Sequence, residues 1–349
     1  MPITRITGVD RAATDLDPDH GFDPTHGYSV ADLLTVGAPA DPPADFAEFW
    51  QGVYAEALAV DPDPRLGPWR ELTADEVGGP VRPGQQVADL LLTSLDGVRL
   101  GGWVVRGEGE TTRALVQGHG YGGRSNPGQA PVNTLSVQPV ARMLPGSPDG
   151  GIDAWTHVLI GIESRHTSSL VGSTADMWAG VTVATMLAPG LPVGYAGGSF
   201  GGGIGALALP HDPRITAAQL TVPSFGNQPL RLRLRCTGSG RALTEYHLQH
   251  PEVERDVLAY LDSATAATLT TIPVMVIAAA ADPAVPPPGQ FAVATSMAGP
   301  TWLHVVAAGH ASWPEQPAND AEVARLTAAW WADPASVVHD PPLAPVAVA

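Results

Sequence analysis

Residues 192–205 read Pro-Val-Gly-Tyr-Ala-Gly-Gly-Ser-Phe-Gly-Gly-Gly-Ile-Gly and contain a Gly-x-Ser-x-Gly pentapeptide centred on Ser199. A short apolar run, 193–196, precedes the pentapeptide, and an Ala/Leu/Ile segment, 204–209, follows it. This order predicts a strand, a sharp turn and a helix, with the serine hydroxyl exposed on the turn. Glycine suits the positions two before and two after the serine, because the turn crowds the backbone there. A glycine-rich turn whose serine only caps a helix is the alternative from this stretch alone.

Composition excludes several classes of partner. The 349 residues include 18 basic and 35 acidic side chains, a net charge of −17. No Lys/Arg cluster stands out, which argues against nucleic acid and against anionic membranes as partners. The sequence contains no run of about 18 apolar residues, so it predicts no membrane span. Residues 1–5 lack an apolar signal core, and we therefore expect a cytoplasmic protein. The single cysteine, Cys236, cannot form a disulfide within the chain and is expected to be a surface thiol.

The rest of the chain alternates between two kinds of segment. Short apolar or β-branched runs, with helical segments between several of them, occur at 114–117, 157–162, 192–196, 215–222, 273–280 and 301–306. This alternation predicts a mostly parallel central sheet flanked by helices on both faces. Two further patterns predict an amphipathic helix at 44–60 and a hairpin at 86–106 that turns at Asp96-Gly97.

Changes in composition suggest the domain boundaries. We expect an irregular N-terminal arm at 1–43 that leads into the helix, a single domain at 44–332 and a loose tail at 333–349. The longest interruption between the predicted strands is 225–270, whose sequence is rich in charged residues and has a helical pattern. Because it follows the serine and separates two strands, we expect it to form a helical, cap-like insertion near the active site.

A serine nucleophile needs a base and an orienting acid, and parallel sheets place such groups at the carboxyl ends of strands. Asp282 ends the apolar run 273–281, and His310 follows the run 301–306. The order Ser199, Asp282, His310 is that of the α/β-hydrolase triad. Taken singly, the aspartate could be a turn former and the histidine a surface loop residue.

An oxyanion hole needs two backbone N–H groups. One is expected from Phe200, directly after the nucleophile, and the other from the glycine-rich loop 118–124, unless that loop is only a turn. The remaining histidines are scattered and no H-E-x-x-H motif occurs, so we expect neither a metal nor a cofactor. The Phe200 ring would favour short acyl chains if it faced the acyl group; otherwise it only packs in the core.

Several stretches together resemble the acetyl xylan esterase and cephalosporin C deacetylase family of α/β-hydrolases. They span most of the chain and lie at 43–50 (Pro-Ala-Asp-Phe-Ala-Glu-Phe-Trp), 118–124 (Gly-His-Gly-Tyr-Gly-Gly-Arg), 197–203, 258–262 with 272–287, and 309–310. There are two departures. Phe200 stands where the family usually has glutamine, and Glu163-Ser-Arg-His-Thr167 occupies the place we assign to the family's Arg-Gly-Gln-Gly motif, which follows the fourth strand.

The resemblance implies an α/β-hydrolase fold with Ser199 as nucleophile, His310 as base, Asp282 as its orienter and main-chain donors at Tyr121 and Phe200. It implies a metal-independent esterase that removes acetyl groups from sugars or related small molecules, and a homo-oligomer. A peptidase or lactone hydrolase with the same triad is an alternative, because fold alone does not set the substrate. A non-catalytic binding protein is a weaker one, since all three triad residues are present.

Overall fold

A single sheet of eleven strands runs through the part of the chain that the computed structural model describes, residues 3–12 and 15–334. The strands are β1 (Ile3–Thr7), β2 (Arg65–Leu66), β3 (Arg70–Glu71), β4 (Gln86–Thr93), β5 (Arg99–Arg106), β6 (Arg113–Gln117), β7 (Thr134–Pro139), β8 (Val193–Gly198), β9 (Ile215–Thr221), β10 (Val274–Ala281) and β11 (Thr301–Ala308). Their spatial order is β1-β11-β10-β9-β8-β6-β7-β5-β4-β2, and β3 also pairs with β4.

The sheet has a parallel and an antiparallel part. From β1 to β7 along that order every pair is parallel, whereas β5, β4, β3 and β2 pair antiparallel. The hairpin predicted at 86–106 is β4–β5, with Thr93 opposite Arg99. The mostly parallel sheet predicted from the apolar runs is therefore confirmed.

Helices cover the sheet. They are α1 (Val30–Leu33), α2 (Phe46–Leu58), α3 (Ala74–Val77), α4 (Ala154–Leu159), α5 (Ser169–Leu187), α6 (Phe200–Ala208), α7 (Gln228–Arg231), α8 (Gly238–Gln249), α9 (Val253–Asp256), α10 (Ser263–Ala267), α11 (Pro287–Ser296) and α12 (Gln316–Ala332), with short 3₁₀ turns at Leu95–Gly97, Leu209–His211 and Leu258–Leu261. The helix predicted at 44–60 is α2, whose Trp50 is fully buried and donates its indole N–H to the Tyr260 carbonyl at 2.8 Å. Between β9 and β10 the chain forms α7 to α10.

One prediction about strands is wrong, and one strand was not predicted. The run 157–162 is not a strand: α4 begins after Asp153, whose carboxylate caps the Trp155 and Thr156 N–H groups. A short apolar run does not distinguish a strand from a buried helix, and here the cap decides. The strand in this part of the sheet is β7, which sequence reasoning missed because its buried positions include Ser136 and Gln138.

The N-terminal arm is more ordered than predicted. It contributes β1, which extends the sheet by pairing parallel with β11. Cys236 is also not a surface thiol, because only 7% of it is exposed. Of the tail predicted at 333–349, residues 335–349 lie outside the described residues. Within the described ranges no helix is long and apolar enough to cross a membrane.

Candidate active site

Ser199 lies on a strained turn between β8 and α6, with φ 54° and ψ −116°. A non-glycine residue with positive φ is uncommon and needs support from its surroundings. Here the support comes from the backbone: Ser199 N–H donates to the Thr221 carbonyl at 2.8 Å, and the Ser199 carbonyl accepts from the N–H groups of Gly203 at 2.9 Å and Ser224 at 3.1 Å. These bonds fix the serine at the carboxyl end of β8.

The flanking glycines are required by contact distances. A Cβ atom on Gly197 would lie 2.4 Å from the Gly201 carbonyl oxygen, and one on Gly201 would lie 2.8 Å from both backbone N and O of His119. Backbone atoms cannot move aside as a flexible side chain would, so both positions exclude a larger residue. The two glycines of the pentapeptide thus let the turn close against β8 and against the loop 118–124.

The three predicted triad side chains lie in one hydrogen-bonded row. His310 Nε2 is 2.9 Å from Ser199 Oγ, and His310 Nδ1 is 2.8 Å from Asp282 Oδ2. Asp282 follows β10 and His310 follows β11, which are adjacent parallel strands, so both residues leave the same edge of the sheet as Ser199. In this arrangement a proton can pass from the serine to the imidazole while the carboxylate holds the other ring nitrogen.

Asp282 is fully buried and each of its oxygens is held by donors. Oδ1 accepts from the N–H groups of Ala284 and Val285, both at 2.9 Å. Oδ2, which faces His310, also accepts from the Gln290 amide at 3.0 Å. Donors on every side fix the orientation of the carboxylate. Sequence reasoning missed Gln290, since a glutamine inside a helix carries no motif.

Two opposing influences set the pKa of His310. Burial lowers the pKa of the imidazole, but its hydrogen bond to Asp282 and the negative charge of that carboxylate outweigh burial and raise the pKa above its ordinary value of 6.5. A base with a raised pKa accepts the serine proton more readily. The raised pKa also means that His310 becomes protonated at a higher pH than an unperturbed histidine would.

The loop 118–124 lies directly against the elbow. Gly201 N–H donates to the His119 carbonyl at 2.9 Å, and a Cβ atom on Gly120 would lie 4.0 Å from Ser199 Cβ. The Phe200 N–H is in the first turn of α6, where no intrahelical acceptor exists. Within the described residues the Tyr121 N–H has no hydrogen-bond acceptor either. The Tyr121 and Phe200 N–H groups thus belong to two segments that meet beside Ser199, and neither has an acceptor within the described residues.

His119 has no free nitrogen with which to act as a base. Its Nε2 accepts from the Ala141 N–H at 3.0 Å, which leaves Nδ1 as the protonated nitrogen, 2.7 Å from the Gly120 carbonyl. Burial lowers the pKa of His119 to about 4, so the ring is neutral around pH 7. His119 therefore supports the loop and does not compete with His310.

The Phe200 ring does not line an open acyl pocket. It is fully buried and lies 4.3 Å, centroid to centroid, from the Tyr121 ring, with His157 at 5.8 Å and Phe225 at 6.3 Å. The structure therefore supports a role for this ring in core packing and not in limiting the length of the acyl chain.

The segment 163–167 does not follow the fourth strand, so placing the Arg-Gly-Gln-Gly motif there is wrong. The strand after the oxyanion loop is β7, and the arginine that follows it is Arg142, which forms a buried ion pair with Asp176 at 2.8 Å. Arg165 instead lies over the Tyr260 ring at 3.9 Å and pairs with Asp45 at 3.4 Å. The error in strand assignment at 157–162 caused the error in the motif.

Sequence reasoning also missed the part that the arm plays near the triad. The Pro24 carbonyl accepts the Asp282 N–H at 3.1 Å, and Asp17 and Ser312 exchange backbone hydrogen bonds of 2.9 and 3.0 Å. The arm thus holds both loops that carry the acid and the base. Within residues 3–12 and 15–334, no group of three or more His, Cys, Asp or Glu side chains is placed to hold a metal ion.

No protein-family model matches the chain, and no curated protein sequence matches it. Among solved structures it is similar to acetyl xylan esterase 1 from Thermoanaerobacterium sp. JW/SL YS485, with 20% identity, a TM-score of 0.69, and coverage of 86% of this chain and 98% of that one. Acetyl xylan esterase from Paenibacillus sp. R4 gives 19% identity, the same coverage and a TM-score of 0.69. At this level of identity the likeness shows the fold. The chain has an α/β-hydrolase fold that resembles these acetyl xylan esterases over most of its length.

Proposed function

We propose that the protein is a serine carboxylesterase that hydrolyses small acyl esters, acetyl esters of sugars or related molecules above all. The observation that carries the proposal is the hydrogen-bonded row Ser199–His310–Asp282, whose serine lies on a strained elbow. Both acetyl xylan esterases share the fold over most of the chain, which supports acetyl as the acyl group.

The reaction follows from the positions of these groups. Ser199 Oγ attacks the ester carbonyl as its proton passes to His310 Nε2. The resulting oxyanion accepts hydrogen bonds from the Tyr121 and Phe200 N–H groups. The C–O bond to the alcohol breaks as His310 returns the proton to the leaving oxygen. Water, deprotonated by His310, then attacks the acyl-serine, and the acid and free Ser199 are released. No step requires a metal or a cofactor.

The test is hydrolysis of 4-nitrophenyl acetate by the wild type and by S199A, with S125A as a matched control at an exposed serine. Loss of a triad nucleophile lowers kcat by up to about a million-fold. We expect S199A to be folded and inactive, and S125A to match the wild type. A serine-directed organophosphate should label the peptide that contains Ser199. An active, folded S199A, or a label on another peptide, would place the nucleophile elsewhere.

The same triad would serve a peptidase or a lactone hydrolase. A panel of acetylated sugars, short peptide amides and lactones separates these, because the preferred class is the one with the highest kcat/KM. We expect acetylated small molecules to lead the panel. A folded wild-type protein that is inactive on the whole panel and unlabelled by the organophosphate would favour a binding protein.

A further inference from the structure

Arg231, the last residue of α7, is a buried cation without a counterion. Only 4% of it is exposed, and no acidic side chain within residues 3–12 and 15–334 forms an ion pair with it. Its side chain makes one hydrogen bond there, from Nη1 to Gln228 Oε1 at 3.5 Å, which is the outer limit for such a bond. A guanidinium group has five donors, and a buried charge that lacks a partner is costly. This arginine therefore has unused capacity to bind an anion.

The Tyr121 hydroxyl is a second unused donor. Its oxygen is buried and has no hydrogen-bond partner among the described residues. Burial raises the pKa of this phenol, while the positive charge of Arg231 acts in the opposite direction. The net direction is upward, so the group stays a protonated donor. A buried hydroxyl without a partner is unfavourable, and a ligand oxygen would satisfy it.

Arg231 and Tyr121 both lie against the Phe225 ring. Arg231 Cζ lies 5.9 Å from the Phe225 ring centroid, and the Tyr121 ring meets the same ring edge-on at 6.5 Å. On the other side, a Cβ atom on Gly240 would lie 2.8 Å from Arg231 Nη2 and 2.5 Å from Cys236 Sγ. The glycine thus leaves room in α8 for the guanidinium group.

Neither the Cys236 thiol nor the Asp282 carboxylate forms an ion pair with Arg231. Burial raises the pKa of the Cys236 thiol, so the thiol is neutral. Asp282, the carboxylate that also acts on this thiol, is already committed to His310, Gln290 and two backbone N–H groups. The donors at Arg231 and Tyr121 are therefore left for an acceptor from outside the described residues.

Tyr121, and the Phe225 ring that Arg231 lies against, both adjoin residues that lie near Ser199. Tyr121 directly follows Gly120, where a Cβ atom would lie 4.0 Å from Ser199 Cβ, and the Tyr121 ring packs at a tilt against the ring of Phe200, the residue after the serine. Ser224, the neighbour of Phe225, bonds to the Ser199 carbonyl at 3.1 Å. A group bound by these donors would thus lie beside the segments that position Ser199.

We propose that Arg231 and the Tyr121 hydroxyl form a carboxylate-binding subsite, and that the preferred ester carries a free carboxylate. This inference rests on the proposed esterase function and narrows its substrate class. A carboxylate is an acceptor only, and its single charge and two oxygens match one guanidinium fork and one hydroxyl.

The experiment compares pairs of esters in which a free carboxylate is replaced by its neutral methyl ester. One pair, monomethyl and dimethyl succinate, carries the carboxylate on the acyl side; the other, O-acetylglycolate and its methyl ester, carries it on the alcohol side. Release of acid is followed in a pH-stat, and the readout is the ratio of kcat/KM for the charged ester to that for the neutral ester. We expect the wild type to prefer the charged ester in at least one pair.

In R231M that ratio should fall at least about tenfold, because a site built to bind a charged group discriminates strongly against its loss. Y121F should lower the ratio less. R231K keeps the positive charge but loses the forked guanidinium group, so it should give an intermediate ratio. It replaces R231M as the test variant if R231M fails to fold. The matched control is R233M, an exposed arginine two residues along, which should leave the ratio at its wild-type value.

Three results would overturn the subsite: no preference for the charged ester in either pair, an unchanged ratio in R231M, or, where R231M does not fold, an unchanged ratio in R231K. If the wild type still cleaves the neutral esters, only the subsite fails and the esterase proposal stands. A wild type that cleaves neither these esters nor 4-nitrophenyl acetate would overturn both.

Discussion

Replacing Asp282 with asparagine changes very little in size but should remove the base function of His310. The carboxylate accepts four hydrogen bonds: two backbone N–H groups reach Oδ1, from Ala284 and Val285, and two side-chain donors reach Oδ2, from His310 and Gln290. An asparagine has one acceptor oxygen, and the two backbone donors cannot reverse. Its oxygen will therefore take the Oδ1 position and its NH₂ group will face His310.

That NH₂ group requires an acceptor on the imidazole. His310 Nδ1 then loses its proton and Nε2 carries it, so the nitrogen that lies 2.9 Å from Ser199 Oγ becomes a donor. In this tautomer the ring cannot accept the serine proton. The equivalent change in other Ser-His-Asp enzymes lowers kcat about 10⁴-fold, or about 5 kcal/mol in activation free energy, and we expect a loss of that order.

The residual activity should also have a different pH profile. Of the influences on the pKa of His310, D282N removes the hydrogen bond to a carboxylate and its negative charge, both of which raise the pKa. Burial remains, and it lowers the pKa. In the wild type, activity should rise with pH through a pKa above 6.5. In D282N the rise should move to lower pH.

The assay is kcat/KM for 4-nitrophenyl acetate against pH, with D262N as the control. Asp262 is as fully buried as Asp282 but bonds to the Gln228 and Thr265 N–H groups, not to His310. The control therefore removes a buried carboxylate and should leave the acid limb in place. A folded D282N that keeps more than about a tenth of wild-type activity, or whose acid limb does not move, would refute the tautomer argument.

Three further predictions concern stability and reactivity. F200A should lower the free energy of unfolding by about 3–5 kcal/mol, as measured in urea melts, because it empties a fully buried site. It should not extend the range of acyl chains that the enzyme cleaves, as measured with a series of esters. Faster cleavage of an octanoate ester by F200A would contradict the packing role. Cys236 should react with iodoacetamide slowly in the folded protein and rapidly in urea, since burial raises its thiol pKa; equal rates would show an accessible thiol. Burial also raises the pKa of Asp262 from 3.8 to about 6, so its stabilising contribution is complete below the lower value and is lost as pH rises through the higher one. The unfolding free energy of wild type minus D262N should therefore fall by up to about 3 kcal/mol across that window, and a constant difference would refute the shift.

Much of the site could be predicted because its chemistry depends on local sequence. The glycines around Ser199 are there for steric reasons that the structure measures directly, with backbone contacts under 3 Å for any added Cβ atom at Gly197 or Gly201. Asp282 and His310 could be found because the end of an apolar run marks the carboxyl end of a strand. The edge of a parallel sheet then brings such residues together without further information.

What could not be predicted depends on contacts that are distant in sequence. Strand β7 contains Ser136 and Gln138, and the Gln138 amide bonds to both the N–H and the carbonyl of Gly128, at 2.7 and 2.8 Å. Those bonds satisfy a buried polar side chain, so the strand lacks the apolar pattern that would reveal it. The role of Gln290 could not be predicted for the same reason, because it depends on the position of α11 beside Asp282.

The N-terminal arm shows how one such distant contact reaches the chemistry. Its strand β1 pairs with β11, so the chain that follows β1 leaves the sheet at the edge from which His310 also leaves. From there the arm bonds to Ser312 and to the Asp282 N–H through Pro24. The distance of 2.8 Å between the acid and the base depends on the relative position of these two loops. An arm whose sequence predicts only irregular structure therefore helps to set the geometry of the triad, because backbone hydrogen bonds require no particular side chain.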